Sequence, residues 1–169
     1  MKAKLIIEGK EIEIEISEEE YKKLQPSEEK KTGYERVPKS SVYFYTYPSS
    51  CVETTCEACY DIDDECYESA NYYSDKTVAE NNVRADKLMR QLRRFSVEHR
   101  EDGVNLNDTN IKKYYICYDY ESNELEATFT FVGRVFGIIY FDSEEAVNTA
   151  IDEFHDELIW YFTEYKDSL

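Results

Sequence analysis

Histidine is almost missing from this chain, with His99 and His155 the only two among 169 residues. Neither belongs to an HExxH pattern or accompanies a serine or cysteine nucleophile motif, which excludes the common histidine-based hydrolytic sites. Glycine is nearly as scarce, at five residues. That leaves little material for a loop whose backbone approaches a phosphate, and no GxSxG or phosphate-cradling motif occurs. Bases are few: 20 Lys and Arg stand against 37 Asp and Glu, a formal net charge of −17. A nucleic-acid binder gains affinity by neutralising phosphates with cations, so direct DNA or RNA binding is not expected. No stretch has the apolar length of a membrane span. Residues 1–16 lack the apolar run of a signal peptide. A cytoplasmic protein is the expectation, with its five cysteines reduced.

What is abundant argues for a folded chain. The hydrophobic fraction is 41% and the aromatic fraction 15%, far from the composition of a disordered segment. The length suits one medium domain with a small appendage, large enough to bury a core without disulfides. The acidity has two readings. It can serve solubility alone, or it can present a carboxylate array to a partner with a basic groove.

Along the chain, Lys2–Ile7 and the alternating Glu11–Ile16 read as a β-hairpin around Glu8-Gly9-Lys10. Ser17 with Glu20 forms a capping box for a short helix. Residues 1–25 thus make an N-terminal hairpin plus helix, and residues 26–40 read as a linker. The main domain spans 41–169, with a cysteine-rich insert at 51–70. Ser41–Tyr47 is a strand, Cys51–Thr55 its hairpin return, and Asn71–Tyr73 a further strand. A long helix over Lys76–His99, capped by Ser74 or Asp75, carries Val78, Ala85, Leu88, Met89, Leu92 and Phe95 at helical spacing. Lys112–Tyr120 and Leu125–Val132 pair around Glu121-Ser122-Asn123, and Val135–Phe141 reads as a central third strand. Asp142 and Glu145 cap a last helix over Ser143–Tyr165. The fold class is α+β: an antiparallel sheet covered by two long helices, with a cysteine-rich loop and an N-terminal hairpin. A weak internal repeat matches Tyr72–Ala79 to Tyr140–Val147, each an aromatic strand end, a cap and an amphipathic helix.

Gly33–Val37 (GYERV), SVYFYTY, NYYSDK, LMRQLRRF, KKYYICYDY and FGIIYFDSEEAVNTAI leading into DELIWYF follow one another in that order. Over residues 33–165 this series resembles a widespread family of small acidic phage and prophage proteins of Gram-positive bacteria. The leader IIEGKEIEIEISEEEYKKL resembles one shared by otherwise unrelated phage proteins. The resemblance brings no catalytic motif and implies an inhibitor class as one function. That class contains anti-CRISPR proteins that inhibit the Cas9 nuclease, here by binding Cas9 or its guide-RNA complex in the cytoplasm of an infected bacterial host. The alternative is a phage accessory or scaffolding protein. The cysteine cluster departs from the family pattern.

Cys51, Cys56, Cys59 and Cys66 are spaced C-x4-C-x2-C-x6-C. In a reducing cytosol such a group reads first as a structural zinc site, closed by four thiolates. Ordinary free thiols, or a redox pair at Cys56 and Cys59, remain open. Cys117 stands alone in a strand.

Residues 51–70 hold seven acids (Glu53, Glu57, Asp61, Asp63, Asp64, Glu65 and Glu68) and no base, while 142–169 hold nine acids and one Lys. With Tyr60 and Tyr67 these seven are the candidate partner-binding surface, because tyrosine supplies rigid contact area at interfaces. A solvated loop explains each of them equally well. The basic residues Lys87, Arg90, Arg93, Arg94 and Arg100 are expected to pair mainly with acids of the same chain, with a guide-RNA backbone the other possibility. Enzyme activity is not expected; an Asp63/Asp64 metal pair is the one alternative kept.

Overall fold

The computed structural model describes residues 2–7, 10–15, 17, 31–101 and 104–167, which fall into two compact units, Met1–Lys31 and Thr32–Leu169. In the first unit, β1 (Lys2–Ile7) and β2 (Lys10–Glu15) pair antiparallel, with Leu5 opposite Ile12 and Ile7 opposite Lys10. The alternation of β2 thus yields the hairpin that the sequence predicts. The helix expected after Ser17 lies outside the described residues.

The second unit is α+β, with two long helices. β3 (Val42–Thr46) pairs antiparallel with β4 (Val52–Cys56), and β5 (Lys113–Asp119) with β6 (Glu124–Thr130). Three helices follow in chain order as α1 (Asp61–Glu68), α2 (Lys76–Glu98) and α3 (Glu144–Thr163). The expected linker ends earlier than residue 40. Thr32 onward belongs to this unit, where Gly33 is buried at φ +91° and an added Cβ would stand 2.6 Å from a methyl of Val78. Only glycine fits there.

The sheet is not continuous. The two hairpins remain separate two-stranded sheets among the described residues, each widened by a single bridge: Tyr73 to Phe44, and Phe141 to Tyr114. The strand expected at Val135–Phe141 shrinks to Phe141 alone. Gly137 takes φ +85°, a conformation that turns the chain out of any extended ladder. Phe136 consequently faces solvent completely, and Val135 is 48% exposed. Continuous apolarity there marks an exposed loop instead of a buried strand.

The weak sequence repeat has a structural counterpart. Each hairpin is followed by a bridging aromatic, an N-cap and a long helix. Asp75 caps α2 by accepting from the Val78 amide at 3.0 Å, and Ser143 caps α3 by accepting from the Ala146 amide at 3.2 Å. Ser143 therefore replaces the expected Asp142, whose carboxylate accepts from the Glu101 amide. Ala79 and Val147, matched in the two repeats, are both fully buried.

The helical stripes meet where the spacing places them. Leu88, Leu92 and Phe95 of α2 pack with Val147, Ala150 and Leu158 of α3 around Phe141, flanked by Ile116 and Leu125 of the second hairpin. A smaller cluster of Tyr73, Val78 and Ala79 receives Phe44 and Val52 of the first hairpin. Truncating Leu88 to alanine would cost about 2–5 kcal/mol at such a site. Lys113 is fully buried and donates through Nζ to the carbonyls of Asp108 (2.8 Å) and Phe131 (3.4 Å), tying the loop before β5 to the chain after β6.

Candidate functional site

The acidic, cysteine-bearing segment after β3 is better ordered than its composition suggests. Residues 61–68, read in the sequence as an irregular loop, form α1. Its start is fixed by Asp63, whose Oδ2 accepts from the amides of Ala58 and Tyr60, both at 3.0 Å. The Tyr43 hydroxyl donates to Oδ1 of the same carboxylate at 2.9 Å. These donors, the Tyr60 amide foremost, hold the Asp63 carboxyl below its usual pKa.

Glu57 anchors the other side. Arg36 grips its carboxylate through two nitrogens, at 2.9 and 3.1 Å, and the Tyr72 hydroxyl donates to it at 3.0 Å. The Arg36 hydrogen bonds are the main reason that the Glu57 carboxyl lies below its ordinary pKa. The third nitrogen of Arg36 reaches Asp64 at 2.6 Å. One guanidinium thus joins the segment before β3 to both β4's end and α1. The rings of Tyr43 and Tyr72 stack at 3.9 Å, with Tyr67 edge-on to Tyr72 at 5.5 Å. Burial lifts the Tyr72 phenol to about 12 and raises that of Tyr43 further.

This arrangement divides the candidate residues. Glu57 and Asp63 are each only 2% exposed, so they hold the segment together and present no charge to a partner. That corrects their place in the expected binding surface. A metal pair at Asp63 and Asp64 is equally unsuited, since protein donors and Arg36 already use those oxygens. Glu53, Asp61, Asp64, Glu65 and Glu68 are exposed, as are Tyr60 and Tyr67. Asp61, Asp64, Glu65 and Glu68 fall at i, i+3, i+4 and i+7 of α1, which places all four on one face of the helix.

The four cysteines do not converge. Cys51 precedes β4 and Cys56 ends it, and the extended backbone between them spans about 16 Å. One tetrahedral ion holds its sulfurs about 2.3 Å from the metal. Cys51, Cys56 and Cys59 are exposed free thiols, and Cys66 is half-buried on α1. Among the described residues no three His, Cys, Asp or Glu side chains stand close enough to hold a metal. The donor set does not fit a single zinc ion while β4 stays paired.

His99 stacks on Phe95 at 3.7 Å, and His155 faces Asp156 at 3.2 Å. Internal pairing of the basic helix is partial. Arg84 binds Glu157 at 2.8 and 3.2 Å while lying 3.9 Å over the Trp160 ring, and Arg94 meets Glu98 at 3.8 Å. Arg90 bonds Ser50 instead, at 2.6 Å. Arg93 and Arg100 pair with no carboxylate among the described residues and line one groove with Arg134, a residue that sequence reasoning passed over. Its signal was present: Arg134 is the only base among the apolar residues of FVGRVFGII.

Comparison with protein-family models, curated proteins and solved structures finds no match to this chain.

Proposed function

We propose that this chain is a phage-encoded inhibitor of a bacterial defence complex, an anti-CRISPR protein that binds Cas9 and blocks target DNA loading. The single observation that supports this reading is the carboxylate row of α1. Asp61, Asp64, Glu65 and Glu68 occupy about 10.5 Å of helix axis. Four successive phosphates of one DNA strand rise over about 10 Å. A cationic cleft spaced for phosphates therefore meets a similar charge density on a helix. Arg36 neutralises part of Asp64, so Asp61, Glu65 and Glu68 carry most of the effect. Exposed Tyr60 and Tyr67, at 69% and 44%, add contact area beside the row. The mechanism is steric and electrostatic, without covalent change, and operates in the cytoplasm of the infected host. No described helix is long and apolar enough to cross a membrane.

The test is a cleavage assay at low ionic strength with purified chain and guide-loaded Cas9. Inhibition that fades as salt rises supports the reading, because exposed charge pairs are screened. Unchanged cleavage and unchanged target binding remove it.

A second reading, a phage accessory or scaffolding protein, is favoured by a different feature. Phe131, Val132, Val135, Phe136 and Ile138 are all exposed within one loop, and exposed apolar clusters of this sort mark contact surfaces. Co-purification from infected cells separates the two, recovering either a nuclease complex or other phage proteins.

A further inference from the structure

The groove between the end of α2 and the loop 134–140 is unlike the rest of the surface. Its volume is about 610 Å³, within the range of small-molecule sites. Three guanidinium groups line it, those of Arg93, Arg100 and Arg134, and no described carboxylate does. On a chain of net charge −17 three cations without anionic partners among the described residues are conspicuous. Asp142, two residues beyond Tyr140, accepts from the Glu101 amide.

Helix geometry explains the convergence. Arg93, Ser96 and Val97 fall at i, i+3 and i+4 of α2, so its last turns turn one face to the groove, and Arg100 joins them from two residues past the helix end. The turn at Gly137 folds the facing loop back, and the Tyr140 hydroxyl accepts from the Val135 amide at 3.2 Å. Ser96 donates to the Tyr140 carbonyl at 2.5 Å, which fixes the loop against the helix. Arg100 keeps one weak contact, Nη2 to the Ser96 hydroxyl at 3.4 Å. Its Nε is the one buried side-chain nitrogen or oxygen among the described residues that has no hydrogen-bond partner. That atom is sealed from water-sized groups, so any donation by Arg100 to a ligand in the groove comes from Nη1 and Nη2.

We propose that this groove binds a small organic phosphate. The phosphate oxygens accept from Arg93, Arg100 and Arg134, whose fork-shaped donors suit that geometry. An apolar or aromatic moiety of the ligand rests on Val97, Leu106 and Phe136, which supply the uncharged wall. The carbonyl end of α2 opposes an anion here, but its partial charge is about half an electron against three full charges. A polynucleotide is disfavoured because its many phosphates meet the overall negative field. A single phosphate meets mainly the groove. None of these residues belongs to the acidic row of α1, so this site stands or falls independently of the inhibitor reading.

Titration of the full chain with adenosine monophosphate and with inorganic phosphate, by calorimetry at low salt, tests the site. Saturable 1:1 binding of the nucleotide, tighter than that of phosphate, is expected. Arg134→Gln and Arg100→Gln should each weaken it roughly tenfold. Phe136→Ala should weaken the nucleotide and leave phosphate unchanged. Arg134 and Phe136 are exposed, so their variants keep the test meaningful even if Arg100→Gln disturbs folding. No saturable nucleotide binding, equal affinity for the two ligands, or nucleotide affinity unaffected by Arg134→Gln overturns the proposal. So does binding of a Glu-rich peptide by this groove when the nucleotide fails.

Discussion

Arg36 and Glu57, 21 residues apart, form a two-pronged ion pair whose carboxylate is almost wholly sealed from water. Burying such a charge is unfavourable unless its partner stays in place. Arg36→Ala leaves Glu57 buried and unpaired and is expected to cost on the order of 3 kcal/mol. Tyr72→Phe removes one donor of the three side-chain contacts and should cost about 1 kcal/mol. Urea unfolding of both variants checks the ordering. Equal, small losses would show that Glu57 does not depend on Arg36.

Stability should respond to pH from both sides. The carboxyls of Glu57 and Asp63 lie below their ordinary values, and backbone donation from Thr32 holds Glu35 at about 2. Their folded forms bind protons more weakly than the unfolded chain, so stability is present above the ordinary carboxylate range and is lost as pH falls toward 2. Burial raises the phenols of Tyr72, Tyr73 and Tyr165 to about 12. Stability from these is complete below pH 10 and is lost as pH rises through 12. The urea midpoint is therefore expected to fall below pH 4 and again above pH 10. A midpoint that stays level into either region contradicts the assignments.

Trp160 is the only tryptophan, and Arg84 covers its ring while holding Glu157. Arg84→Ala should shift the fluorescence emission to the red and cost about 1 kcal/mol, since the ion pair is half-exposed and contributes little alone. Glu157→Gln should alter stability less and leave the emission nearly in place. Identical emission in Arg84→Ala would show that the guanidinium does not cover the ring in solution.

The long helices were legible because their spacing, caps and apolar stripes all agree. Both hairpins of the second unit were legible from aromatic runs and polar turns. The third strand was not, because an apolar run looks the same in a buried strand and in a loop turned outward at Gly137. Helix α1 was hidden for another reason: it buries no apolar face, and it is held by polar contacts, some local to Asp63 and others from Tyr43 and Arg36 far away in sequence. Asp63 and Glu57 are indistinguishable by residue type from their exposed neighbours. The cysteine spacing carried an internal conflict. An extended return at 51–55 and one ion shared by Cys51 and Cys56 exclude each other on strand rise alone.

Metal analysis resolves that conflict. With β4 paired as described, protein purified without chelator should show no difference in zinc content between the parent chain and Cys51→Ser. One zinc per chain, lost in Cys51→Ser together with the β3–β4 pairing seen by hydrogen exchange, would require a different path for residues 51–56.

The proposed competition of exposed carboxylates with DNA for a cleft built for phosphates is read out by target-DNA binding to guide-loaded Cas9 in the presence of the parent chain and of the triple variant Asp61→Lys, Glu65→Lys, Glu68→Lys. The parent chain is expected to displace DNA at low salt, salt to abolish the effect, and the variant to be inert while still folded. Displacement by the charge-reversed variant equal to that of the parent, or none by either, contradicts the proposed competition.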